Sequence, residues 1–151
     1  MFRDLLARLT GETQAPELDG EDAELAIAAL LVRLARSDDT YREVEKARID
    51  RILACRRGLS PTEAAARRAE AEELEAGASD TVRFTRQIKE RIGLEDRAGV
   101  IAAMWEVAYA DAQRGPDEES LIRLVASLLG ITDRESAEIR QQVKARMGLA
   151  P

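Results

Sequence analysis

Histidine is absent from this chain of 151 residues. That absence removes Ser-His-Asp and Cys-His catalysis and every imidazole metal site together. A single cysteine, Cys55, excludes an intramolecular disulfide and suits a reducing compartment. A basic excess is missing as well: the net charge is −6 and basic residues are interspersed with acidic ones, which argues against a sequence-independent grip on nucleic acid. The longest apolar stretch, Leu25 to Leu34, is interrupted by Arg33 and falls short of the roughly 20 residues that a bilayer span requires. No stretch has the charged start, apolar centre and small-residue cleavage site of a signal peptide, so a cytoplasmic location is expected.

What is present favours helix. Aromatic residues make up only 3% of the chain, Ala, Leu, Arg and Glu dominate, and alternating β-branched runs are missing. With 45% hydrophobic residues, the chain is expected to form one all-α domain with a sizeable core. Any site must then be built from carboxylates, amides, hydroxyls or backbone.

Residues 1–20 read as an amphipathic helix, with Phe2, Leu5, Leu6 and Leu9 on one face, followed by a linker from Gly11 to Gly20. Residues 21–151 read as the helical domain. Its first apolar run, Glu21 to Arg36, predicts a central helix. Val44, Ile49, Ile52, Leu53 and Cys55 then give the inner face of the next, with Cys55 expected in the core. Ser60-Pro61-Thr62-Glu63 predicts a capping box at the start of a solvated helix whose narrow apolar face is Ala66, Ala69 and Leu74. Four Gly-Leu or Gly-Ile pairs, at Gly58, Gly93, Gly130 and Gly148, predict helix stops. The total is about eight helices.

The second half repeats the first. Ala35-Arg36-Ser37-Asp38 followed by Glu45 recurs as Ala108-Tyr109-Ala110-Asp111 followed by Glu118, at an offset of 73 residues for both acids. The apolar run Val100–Ala108 answers Leu25–Ala35, and Gly130 to Glu135 answers Gly58 to Glu63 at an offset of 72. Two similar halves follow, about 21–77 and 94–148. Arg33 and Glu106 occupy equivalent places. They either meet as a buried ion pair across a pseudo-twofold axis or reach the surface separately.

The acids fall into two groups. Glu45, Asp117, Glu118 and Glu119 lie near helix starts, where the macrodipole favours them. Asp38, Asp39 and Asp111 follow helix ends, where it does not, and they require compensation. A divalent cation held by Asp38 with Glu45, or by Asp111 with Glu118, is one source. Arg42 and Lys46 in the first loop and Arg114 in the second are the other. Neither loop has the twelve-residue calcium pattern.

Taken together, Val107-Ala108-Tyr109-Ala110-Asp111 with Glu118 and then Leu128-Leu129-Gly130-Ile131 resemble the signature of the TerB-like family. That family is named for bacterial tellurite resistance and is seen also in the amino-terminal domain of a membrane-anchored DnaJ-type co-chaperone. Leu34-Ala35-Arg36-Ser37-Asp38 with Glu45 is a looser copy, and the resemblance covers roughly residues 21 to 148. It implies an all-helical fold of two similar halves, with Asp38, Glu45, Asp111 and Glu118 as metal-ligand candidates for Ca2+, Mg2+, Mn2+ or Zn2+. The glycine usual after the motif aspartate is Asp39 in the first copy and Ala112 in the second; a left-handed backbone suits Asp better than Ala.

The expected function is a non-enzymatic, stress-associated module, related to tellurite resistance, that acts through protein partners and possesses no nucleic-acid site. A homodimer is compatible with it. The alternatives are a membrane-peripheral scaffold using Phe2 to Leu9 as its contact, or a hydrolase built on paired carboxylates and metal.

Overall fold

Strong helix formers fill each segment of the chain between its Gly and Pro breaks, and helices form accordingly. The computed structural model describes residues 20–78, 80–110 and 116–150, and among them are seven helices and no strand. These are α1 (Gly20–Arg36), α2 (Glu43–Arg57), α3 (Pro61–Ala76), α4 (Val82–Arg91), α5 (Leu94–Ala110), α6 (Pro116–Leu128) and α7 (Asp133–Arg146). The expected helix at Phe2 to Leu9 and its linker lie outside the described residues.

The first apolar run does form the central helix. Every residue from Ala26 to Val32 is fully buried, so α1 has no solvated face over nearly two turns. It packs against α2, α3, α4, α5 and α6, while α5 contacts α1, α2, α6 and α7. Leu30, Leu31 and Leu34 from α1 meet a core that also holds Ile49, Phe84, Ile101, Met104 and Ile122. Each such side chain contributes about 1.5–3 kcal/mol through burial.

Helix boundaries follow local chemistry. Ser60 Oγ accepts from Glu63 N at 3.1 Å while Glu63 Oε1 accepts from Ser60 N at 2.8 Å. Thr132 and Glu135 form the same reciprocal cap, at 3.1 Å in both directions. Gly58 adopts φ +64° and Leu59 N donates back to Ala54 O at 3.0 Å, closing the predicted stop. Gly93 behaves differently from expectation. The helix before it ends at Arg91, and Gly93 O accepts from Asp96 N at 2.9 Å, so this glycine opens α5.

Two predicted faces are corrected. Val44 is 49% exposed and Cys55 is an exposed free thiol, because the buried stripe of α2 runs through Glu45, Ile49, Ile52 and Leu53 and leaves both to one side. On α3 the buried positions are Ala64 and Ala71, with Ala66 and Ala69 exposed. The inner side of α3 is instead ionic: Glu75 Oε2 accepts from Arg33 Nε at 3.1 Å and Glu75 Oε1 from Arg36 Nη1 at 2.6 Å, while Arg68 Nε reaches Asp50 at 2.6 Å. Arg33 and Glu106 do not meet. Arg33 is taken by Glu75 of α3, and Glu106 by Arg48 of α2 at 3.2 Å, the partner that lies on its own side of the bundle.

Candidate functional site

Helix α1 ends at Arg36, and the next residues turn under tight local control. Ser37 Oγ donates to Leu34 O at 2.7 Å, and Asp39 N donates to Arg36 O at 3.1 Å. Asp39 adopts φ +65°, the left-handed conformation expected where related motifs carry glycine. The Asp38 carboxylate beside it accepts from Thr40 N at 3.1 Å and Thr40 Oγ1 at 2.8 Å. The Asp38 carboxyl group also interacts with that of Glu118. Burial raises the Asp38 pKa, but the hydrogen bonds with Thr40 and Glu118 outweigh it and hold the group below the usual aspartate range.

Glu118 comes from the other half of the sequence. It is the third residue of α6 and is only 1% exposed. Glu45 is the third residue of α2 and is wholly buried, with Oε1 accepting from Arg42 N at 2.9 Å. Both carboxylates therefore sit in a first helical turn, where backbone N–H groups and the macrodipole favour negative charge.

The structure thus brings Asp38 to Glu118, a pairing that the spacing within its own loop does not suggest. Of the two cations expected to neutralise the first loop, Lys46 instead pairs with Glu43 at 3.3 Å and lies 4.8 Å from the Tyr41 ring centroid. Asp111 and Arg114 lie outside the described residues. The macrodipole accounted for Glu45 and Glu118 as ordinary surface acids, so their burial was missed. No local pattern reports it, since both sit in charged stretches.

Two neighbouring carboxyl groups repel each other when both are ionised, and a proton or a cation between them relieves that repulsion. Their oxygens are hard donors, half-buried at Asp38 and buried at Glu118, which fits a hard divalent ion. Zinc fits less well without imidazole or thiolate nearby. Two acids alone are few: among the described residues no group of three or more acidic or cysteine side chains is placed to hold a metal.

Four of the cavities among the described residues have their linings defined, and none of these four is lined by Asp38, Glu45 or Glu118. No described helix is long and apolar enough to cross a membrane.

These features define a small all-helical domain built around one buried helix, with an acid after one helix joined to an acid that opens another. The chain belongs to the tellurite resistance protein TerB family, whose model matches residues 24–141. Comparison with curated proteins and with solved structures gives no significant match.

Proposed function

We propose that this protein is a non-enzymatic, stress-associated TerB module that acts through protein partners in the cytoplasm and holds a hard divalent cation between its two halves. The observation that carries the reading is the approach of Asp38 to Glu118. A cation there replaces the shared proton and ties the end of α1 to the start of α6, which couples cation occupancy to how the halves pack. The sequence repeat nominates a second pair, Asp111 and Glu45, which lie at the same 73-residue offset from Asp38 and Glu118. Matching features of the two halves support it: both buried glutamates take the third position of their helices, and Ser60–Glu63 and Thr132–Glu135 form the same cap. The single cysteine suits the proposed compartment.

Calorimetric titration of Ca2+, Mg2+, Mn2+ and Zn2+ into chelator-treated protein tests this. Saturable heat is expected with a hard cation, and Asp38→Asn or Glu118→Gln is expected to weaken binding about tenfold or more by removing ligand charge. Absence of heat and of any thermal shift at millimolar cation defeats the proposal. Thermal unfolding of each variant in chelator verifies that it is folded. Asp111→Asn and Glu45→Gln, titrated in the same way, report on the second pair.

A further inference from the structure

A groove of about 570 Å3 runs between α2 and α5 and is closed at one end by the last residues of α7. Its position follows from sequence spacing. Arg48, Arg51, Ile52 and Cys55 fall at i, i+3, i+4 and i+7, one face of α2, and Gly99, Ala103 and Glu106 share the facing side of α5. Small residues on α5 give the groove depth. A Cβ on Gly99 would stand 3.6 Å from Arg56 Nη1, so the guanidinium lies close over that backbone.

Charge distinguishes the groove from the rest of the molecule. Four arginines line it, at 48, 51, 56 and 146, against one acid, Glu106. Arg56 is neutralised by a two-point pair with Glu24, at 2.8 and 2.9 Å. Glu106 is shared, with Arg48 at 3.2 Å and Arg146 at 3.7 Å. Arg51 is exposed at the rim and forms no ion pair among the described residues. An excess of two positive charges therefore collects on a chain whose net charge is −6.

We infer that this groove docks an acidic segment of a partner protein, one with carboxylates at successive helical turns and apolar side chains between them. The arginines of α2 are spread over about 12 Å along its axis, from position 48 to position 56. Arg56 is already held by Glu24, and acids one turn apart on a peptide match Arg48 and Arg51, three residues apart. Ile52, Ala102 and Ala103 form an apolar floor that a small inorganic anion does not use. The inference extends the partner-binding reading above but shares no residue with the acidic loops.

Cys55, the sole cysteine, lines the groove and is exposed, so its alkylation rate reports occupancy without any added label. The probe is a synthetic peptide of about twelve residues repeating Glu-Glu-Leu, which as a helix spans about 18 Å and so covers the arginine row. Its Gln-Gln-Leu counterpart and pyrophosphate serve as comparisons. The assay measures Cys55 modification by iodoacetamide, a neutral reagent, at low ionic strength in chelator. The acidic peptide is expected to slow the reaction of the full chain about fivefold or more at saturation, and Arg51→Glu to weaken that protection about tenfold. Arg134→Glu, an equal change of net charge on the exposed start of α7, is expected to leave it unchanged. Absence of protection, equal protection in Arg51→Glu, or protection by pyrophosphate as strong as by the peptide each overturns the inference. With no cation present, the result is independent of the metal titration.

Discussion

Arg33 donates to Glu75 Oε2, to the carbonyls of Glu75 and Ala78 and to Thr81 Oγ1, and its guanidinium lies 5.2 Å from the Phe84 ring centroid. One side chain thus joins α1 to the end of α3, the following turn and α4. Replacing it with Ala leaves Glu75 Oε2 and two carbonyls without this donor, with Arg36 alone still holding the largely buried carboxylate. Arg33→Ala is expected to cost about 3 kcal/mol in urea unfolding, with Arg33→Lys recovering part of it, since an ammonium cannot fork to several acceptors. Glu72 gives a pH signature. Burial raises its pKa, but hydrogen bonds from Tyr41 and Arg68 outweigh that and hold it below the usual glutamate range. The folded chain then binds this proton less tightly than the unfolded chain. The resulting stability is present above the unfolded value, about 4.3, and is lost as pH falls through the lower folded value. Glu72→Gln should flatten that acid limb in urea midpoints measured against pH; an unchanged slope would assign the acid sensitivity elsewhere. Sequence spacing does not show any of these partners, because Arg33 to Glu75 and Tyr41 to Glu72 are joined only by the packing of α1 and α2 on α3.

At the scale of elements, chain breaks were the most legible features. Positive φ at Gly58, Gly130 and Gly148 matches three of the four predicted stops, and the predicted capping box of Ser60 with Glu63 forms, as does its counterpart of Thr132 with Glu135. These signals are local, so a sequence window contains all of their physics. Gly58 has open space where a Cβ would stand, so only backbone strain opposes a side chain there. Gly58→Ala is expected to lower stability by about 1–2 kcal/mol in thermal or urea unfolding, while Gly77→Ala, at ordinary negative φ, stays close to wild type. Helix faces were less legible. On α3, alanine spacing pointed to Ala66 and Ala69, yet the inner side carries Arg68, Glu72 and Glu75, whose stems pack while their charged ends pair. Hydrophobic periodicity has no means of marking a face that is buried through ion pairs. Cys55 was misplaced for a related reason: an apolar residue beside a buried stripe reads like part of it.

For the whole molecule, the apolar run at Leu25 to Leu34 correctly announced the central helix, since a segment without a polar side has to be surrounded. The motif residues led to the TerB family, which the match over residues 24–141 establishes. The acids of that motif were legible as types and positions but not as partners. Asp38 and Glu118 are 80 positions apart, and only the packing of α1 against α6 joins them. A cation bound at that pair, as proposed, would compete with protons for the same oxygens. Calorimetry in buffers of different ionisation enthalpy is therefore expected to show proton release and an affinity that weakens as pH is lowered. The most direct test of the account is Mn2+ titration followed by amide NMR. Paramagnetic broadening is predicted to begin together at residues 38–40 and 117–119, on both sides of the proposed site, and to disappear from both in Asp38→Asn. Broadening that starts elsewhere, or that reaches only one of the two segments, would contradict a cation held between them.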